Sequence, residues 1–147
     1  TDLSPLEGIP LWRISLPDTG ITDLAPLRGM QLETLNVDGT AITDLEPLRG
    51  MPLTGLHVSH TAVCNLSPLA GMPLISLGIN SSRVRDLAPL EGMRLERLEA
   101  RETDIEDLTP IEGMPLSVLE IRNTGVADLR PLAGRPIQRA GPTHVLG

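Results

Sequence analysis

The sequence repeats itself every 21 residues without insertion or deletion, and this period constrains the fold more than any other feature. When the chain is aligned with itself, proline fills one column and glycine fills another. The prolines are Pro5, Pro26, Pro47, Pro68, Pro89, Pro110 and Pro131, and the glycines are Gly8, Gly29, Gly50, Gly71, Gly92, Gly113 and Gly134. A period of roughly 20 to 50 residues is typical of solenoids, in which each unit forms one coil and stacked coils share a continuous core.

Each unit, counted from Asp2, follows the pattern D-L-x-P-L-x-G-M-P-L-x-x-L-x-V-x-x-T-x-I-T. Unit positions 2, 5, 8, 10, 13, 15 and 20 are apolar in nearly every copy, so we expect their side chains to point inward. The exceptions are Arg135, Pro142 and Gly147, all in the seventh unit. We therefore predict a single repeat domain over residues 1–147, made of about seven units of which the last is degenerate.

The second unit shows how the pattern predicts a coil. In residues 34–38 the apolar Leu35 and Val37 alternate with polar residues, which is the period of a short strand. Asp44 precedes the next turn, where its carboxylate is expected to accept hydrogen bonds from backbone amides. Proline in that turn loses no hydrogen bond, because the first amides of a turn have no partner. Gly50 is expected to end the turn in a left-handed conformation.

The segment LETLNVDGTAITDLEPLRG resembles the leucine-rich repeat, whose strand segment reads L-x-x-L-x-L-x-x-N-x-L. It is most similar to short bacterial variants with DL-x-PL arcs, such as internalin-type repeats and the repeats attached to some bacterial serine/threonine kinases. The resemblance covers essentially the whole chain. It implies an α/β solenoid, in which an arc carries short parallel β-strands on its concave face and turns or 3₁₀ segments on its convex face.

The chain departs from that family at one column, where hydroxyl residues replace the asparagine. In the family, the asparagine amide bonds the backbone of neighbouring turns, and we expect the hydroxyls to satisfy some of the same groups. The residues of this column are Thr19, Thr40, Thr61, Ser82, Thr103 and Thr124.

Composition and charge narrow the classes of partner. The chain has no Phe or Tyr, so its core must be aliphatic. A net charge of −7 argues against general binding of nucleic acid or anionic membranes, because phosphates are neutralised by a cationic face. No apolar run reaches membrane-spanning length, so no membrane insertion is expected. The single cysteine, Cys64, excludes an internal disulfide framework.

In-register stacking would place equal unit positions side by side, so unit positions 12, 14 and 16 are predicted to line the concave face. Units two to four offer small polar groups around His57, with Gly55 and Gly78 expected to leave room beside it. The candidate partner-binding residues of the whole face are Asn36, Asp38, His57, Ser59, Asn80, Arg97, Glu99, Arg101, Glu120 and Arg122.

Units five and six carry opposite charges at these positions. Glu99 and Glu120 are expected to lie between Arg97 on one side and Arg101 and Arg122 on the other. Two interpretations are open: a solvated face whose charges pair across strands, or a recognition patch, since arginine is enriched where partners bind.

Chemistry-bearing side chains are few. HVSHTAVC offers His57, His60 and Cys64 as metal ligands, but they lie on different parts of the coil and are not expected to converge. Ser59 and His57 face the same way without an evident acid or oxyanion site, so a hydrolase is not expected. The five methionines occupy one inward column and are predicted to be core: Met30, Met51, Met72, Met93 and Met114. We predict no catalytic residue, metal or cofactor.

Trp12 is the lone aromatic residue. We expect it to lean over the open end of the core; the alternative is that it projects as a binding anchor.

The predicted function is a non-catalytic module that binds a protein or peptide through its concave face. Two alternatives remain: a spacer or solenoid that self-associates through its ends, and a regulatory segment of a larger protein such as a bacterial kinase.

Overall fold

The computed structural model describes residues 1–135 and 139–140 of the chain. The strands, β1 to β7 in chain order, are Arg13–Ser15, Thr34–Asn36, Gly55–His57, Ser76–Gly78, Arg97–Glu99, Val118–Glu120 and Arg139–Ala140. A short 3₁₀ helix precedes each strand, at Ser4–Leu6, Ala25–Leu27, Glu46–Leu48, Ser67–Leu69, Ala88–Leu90, Thr109–Ile111 and Arg130–Leu132. No helix in this described part is long and apolar enough to cross a membrane.

The seven strands form one parallel sheet whose order follows the chain. Its register joins residues one unit apart, so that Leu35 lies between Ile14 and Leu56. Hydrogen bonds continue past the strand ends: the Val37 amide donates to the His57 carbonyl at 2.9 Å. Because the period of the sequence never changes, equal positions meet in every pair of coils, and the predicted in-register stack is confirmed.

The core is a continuous aliphatic column running through the coils. Leu35, Leu56 and Leu77 on the sheet are fully buried, as is Leu69 on a 3₁₀ helix. The methionine column is buried as predicted, at Met30, Met51, Met72, Met93 and Met114. Each coil is too thin to cover its own apolar side, so burial comes from the coil on either side.

Some inward positions in the described parts of the first and seventh coils are less buried than the pattern predicts. Ile9 and Leu129 stand at inward positions of the unit, yet both are exposed. Arg135 is exposed as well, as its charge requires. The predicted degeneration of the seventh unit also rests on Pro142 and Gly147, which lie outside the described residues.

A side-chain oxygen accepts the first amide of every 3₁₀ helix, and it belongs to an Asp carboxylate in all but the fourth, where it belongs to the Asn65 carboxamide. Asp44 Oδ1 accepts a hydrogen bond from the Glu46 amide at 2.8 Å, which confirms its predicted role. Gly50, with φ of 78°, makes the left-handed exit that was predicted for it. The same acceptor bond is made by Asp2, Asp23, Asn65, Asp86, Asp107 and Asp128.

The hydroxyl column fastens each coil to itself. Thr61 Oγ1 donates to the Val58 carbonyl three residues earlier, at 2.6 Å. The equivalent bond is made by Thr19, Thr40, Ser82, Thr103 and Thr124. The resemblance implied bonds to neighbouring turns, but a hydroxyl is shorter than a carboxamide, and these donors reach a carbonyl of their own coil.

Candidate protein-binding surface

Three rows of outward side chains cover the concave face of the sheet. We name them row 12, row 14 and row 16 after their positions in the unit. All ten candidate residues lie in these rows: Arg97 in row 12; Asn36, His57, Glu99 and Glu120 in row 14; Asp38, Ser59, Asn80, Arg101 and Arg122 in row 16. The rows bring them onto one face, but their environments differ.

Short acceptors in row 16 are occupied by backbone amides of the next coil. Asp38 Oδ1 accepts from the Ser59 amide at 2.6 Å. Ser59 Oγ accepts from the Asn80 amide at 3.2 Å, and Asn80 Oδ1 accepts from the Arg101 amide at 2.8 Å. Each bond satisfies an amide just beyond a strand that would otherwise lack a partner. These three residues therefore hold neighbouring coils together, and Ser59 is only 5% exposed.

Asn36 has a similar local role, since its Oδ1 accepts from the Asp38 amide at 3.0 Å. The prediction of partner-binding residues did not include these hydrogen bonds to the backbone. A signal for them is present in the sequence: Asp38, Ser59 and Asn80 are short acceptors standing in consecutive units, two residues after the end of a strand. Such side chains commonly bond nearby backbone groups.

The room predicted beside Gly78 is already filled by side chains of the same face, whereas the space beside Gly55 is not. A Cβ atom on Gly78 would lie 2.8 Å from His57 Nδ1 and 3.3 Å from Ser59 Oγ. On Gly55 it would make ordinary contacts only, the nearest at 3.5 Å from Thr34 Cγ2. The prediction is therefore wrong at Gly78 but not at Gly55.

Two separate ion pairs replace the lattice predicted for units five and six. Arg97 Nη1 lies 3.0 Å from Glu99 Oε1, and Arg101 Nη2 lies 2.7 Å from Glu120 Oε1. Arg122 forms no ion pair with any residue in the described part of the chain. Two of the three arginines are thus paired with a glutamate as predicted, but the pairs are not joined into a lattice.

The two members of each pair differ in depth. The side chains of Arg97 and Arg101 are 47% and 52% exposed, whereas those of Glu99 and Glu120 are 23% and 12% exposed. The glutamates lie opposite one another on β5 and β6. Carboxylates therefore lie beneath and guanidinium groups lie at the surface, so the face that solvent meets here is positive.

The residues considered for catalysis or metal binding do not form a site. His57 lies on the concave face, His60 lies in the left-handed turn after β3, and Cys64 is exposed beyond that turn. Across residues 1–135, no three His, Cys, Asp or Glu side chains are arranged to hold a metal ion. Ser59 Oγ accepts a hydrogen bond from the Asn80 backbone amide. Within residues 1–135, no hydrogen bond joins Ser59 to His57.

Trp12 does not cover the end of the core, so the favoured interpretation of this residue is wrong. Its side chain is 60% exposed, and it stands at unit position 11, on the flank beside the concave face. The exposed Ile9 and Ile75 lie on the same flank, at unit positions 8 and 11. Position 11 is polar in most units, and this irregularity is the sequence signal for the apolar flank.

Comparisons with known proteins agree on the fold. No protein-family model matches the sequence, and no curated protein matches it. Among solved structures, an internalin (inlF) from Listeria monocytogenes superposes with a TM-score of 0.77 and 23% identity, over 83% of this chain and 44% of that one. An internalin C2 (inlC2) from the same organism gives a TM-score of 0.71 and 29% identity, over 84% of this chain and 67% of that one.

Low identity and close superposition are compatible here, because the fold depends on the repeated apolar, proline and glycine positions while the surface rows are free to differ. The parallel strands and 3₁₀ turns match the expected arc, and the resemblance predicted from the repeat is confirmed for the fold. The chain is a leucine-rich-repeat solenoid built from 21-residue units, and it is structurally similar to the internalins of Listeria monocytogenes.

Proposed function

We propose that the chain is a non-catalytic module that binds a protein or peptide through the concave face of its sheet. Both structures named above are internalins with the leucine-rich-repeat fold, which generally mediates protein–protein interaction. Because this chain spans less than half of one of them, what the internalins do as whole proteins is not transferred to it.

The distribution of irregular residues carries the proposal. Scaffold positions hardly change from coil to coil, whereas the concave rows change at almost every coil. Row 14 reads Ser15, Asn36, His57, Gly78, Glu99 and Glu120. A pure spacer gains nothing from this variation, and like charges placed opposite one another, as at Glu99 and Glu120, oppose sheet formation. Such variation is expected of a surface that recognises a partner.

Site-specific photocross-linking tests the proposal. A benzophenone amino acid is placed at Thr34 or Ser76, which are half-buried in row 12, and at Glu91, which is exposed outside the concave rows. The labelled chain is irradiated in an extract of the cells that produce it. We expect a cross-linked partner from Thr34 and Ser76 and none from Glu91.

Two outcomes contradict the proposal. A partner cross-linked from Glu91 alone would place binding off the concave face. Cross-links formed only between copies of this chain, accompanied by a concentration-dependent rise in mass in light scattering, would support the self-associating solenoid instead.

A further inference from the structure

We propose that the partner presents an acidic segment, and that Arg97, Arg101 and Arg122 on the β5–β6 side of the concave face bind its carboxylates. The inference rests on the proposed function and names the chemistry of the partner. It depends on the charge of the face, the depth of its charged groups and the occupancy of its other polar atoms.

The concave face differs in charge from the molecule as a whole. In the first six units, rows 12, 14 and 16 contain four arginines and three carboxylates, whereas the whole chain has a net charge of −7. The arginines are Arg13, Arg97, Arg101 and Arg122, and the acids are Asp38, Glu99 and Glu120. A basic partner would be drawn to the acidic rest of the surface, whereas an acidic partner meets less repulsion at this face than elsewhere.

The ion pairs hold the guanidinium groups in place for a ligand. Glu99 and Glu120 lie deeper than the arginines. Arg97 Nη1 donates one hydrogen bond to Glu99 Oε1 at 3.0 Å, and Arg101 Nη2 lies 2.7 Å from Glu120 Oε1. A guanidinium has five N–H donors, so most of them remain for a second carboxylate. Because the side chains are already positioned, binding loses less conformational entropy than it would with free arginines.

Arg122 adds a cation that the described part of the chain does not balance. It follows Arg101 in row 16 by one coil, at a strand spacing of about 4.8 Å. Neighbouring guanidinium groups repel each other, and a carboxylate placed between them would remove that repulsion.

The other half of the face offers few free polar groups. Asp38, Ser59 and Asn80 already bond backbone amides, and His57 lies across Gly78. Directional contacts with a partner therefore concentrate at units five and six.

Selection of peptides from a random display library tests the inference. Selected peptides are measured by fluorescence polarisation against the wild-type chain and against two triple variants. R97Q/R101Q/R122Q removes the proposed site. The matched control, R28Q/R49Q/R85Q, removes the same charge elsewhere and likewise breaks two ion pairs, those of Arg49 with Glu46 and Arg85 with Glu106. A third variant, Ser76→Trp, obstructs the face without changing its charge.

We expect selected peptides to be enriched in Asp and Glu, and to bind the site variant at least about tenfold more weakly. The control triple variant should change affinity by less than about twofold, and added salt should weaken the wild-type interaction. Peptides without acidic enrichment that lose binding to Ser76→Trp but not to the site variant would overturn the inference and leave the proposed function standing. Peptides unaffected both by Ser76→Trp and by the site variant would contradict the proposed function itself.

Circular dichroism first establishes that each variant is folded. If the site variant is not, Arg122→Gln alone decides the question, because Arg122 has no ion pair within residues 1–135. A loss of affinity of about threefold or more supports the inference, and unchanged affinity overturns it.

Discussion

At the scale of single residues, exposed carboxylates fasten the turns of this solenoid. Asp128 is the clearest case: its Oδ1 accepts the Arg130 amide at 2.9 Å, and its Oδ2 accepts the Arg130 guanidinium at 2.7 Å. The guanidinium bond first, and the backbone bond second, lower the pKa of Asp128 from 3.8 to about 2. The pKa values of Asp2, Asp107 and Glu46 are lowered too, each mainly by a side-chain hydrogen bond.

These shifts predict a loss of stability in acid. A carboxylate whose pKa is lower in the folded chain contributes stability that is fully present above its unfolded pKa and is lost as pH falls through its folded pKa. For Asp128 that loss spans about pH 4 down to about pH 2. Urea unfolding at several pH values should show it. Asp128→Asn keeps the acceptor, as Asn65 does naturally, and should remove this residue's part of the pH dependence. An NMR titration midpoint for Asp128 near 3.8 would contradict the account.

Glycine is required by backbone conformation at some positions and not at others. Gly50 has φ of 78° and open space where a Cβ would stand. Gly50→Ala should therefore lower the free energy of unfolding by about 1 kcal/mol, because alanine disfavours the left-handed backbone. Gly39, with φ of 67°, should cost more, because its Cβ would meet the Asp18 carboxylate. Gly20→Ala is the control: with no left-handed φ and ordinary contacts, it should stay within about 0.5 kcal/mol. Denaturant unfolding of the three variants measures this order, and equal losses would refute it.

At the scale of elements, each strand is followed by a turn that a hydroxyl closes. Thr61 is buried, and its Oγ1 donates to the Val58 carbonyl. Thr61→Val keeps the shape and leaves that carbonyl without its partner, so we expect a loss of about 1–3 kcal/mol in unfolding free energy. Thr43 is exposed and makes no side-chain hydrogen bond in the described part, so Thr43→Val should change little. Similar losses for the two variants would show that the hydroxyl bond contributes nothing.

The strands, turns and core were predictable because a fixed period allows only one register. Leu35, Val37 and Ile42 are buried as the pattern requires, and Asp44 bonds where it was expected. The detail of the surface was not predictable in this way. Whether His57 lies across Gly78 depends on side-chain rotamers and on the neighbouring coil, which a period of identical backbones does not specify.

At the scale of the whole molecule, each coil is stabilised by its neighbours. The same side chain therefore contributes differently to the free energy of unfolding in different coils. Leu69 and Leu6 occupy the same unit position, but Leu69 is fully buried in the middle while Leu6 is half-buried in the first coil. Leu69→Ala should therefore cost about 2–5 kcal/mol, and Leu6→Ala less than about half as much. Thermal or urea unfolding compares them. Equal losses would contradict a nearest-neighbour stack.

The place of a side chain within its coil decides its exposure at the end of the stack as well as in the middle. Trp12 stands at unit position 11, and Ile75, at the same position in the fourth coil, is exposed too. The exposure of Trp12 therefore follows from its unit position.

The central claim, that a partner binds the concave face, can be tested most directly by NMR. All 12 basic side chains are arginines, so their Nε–Hε resonances sample every face of the molecule. With the cross-linked partner added stepwise, the account predicts that the resonances of Arg97, Arg101 and Arg122 shift and saturate. Resonances of the control arginines Arg28, Arg49 and Arg85 should stay in place. Shifts confined to those control arginines would contradict it.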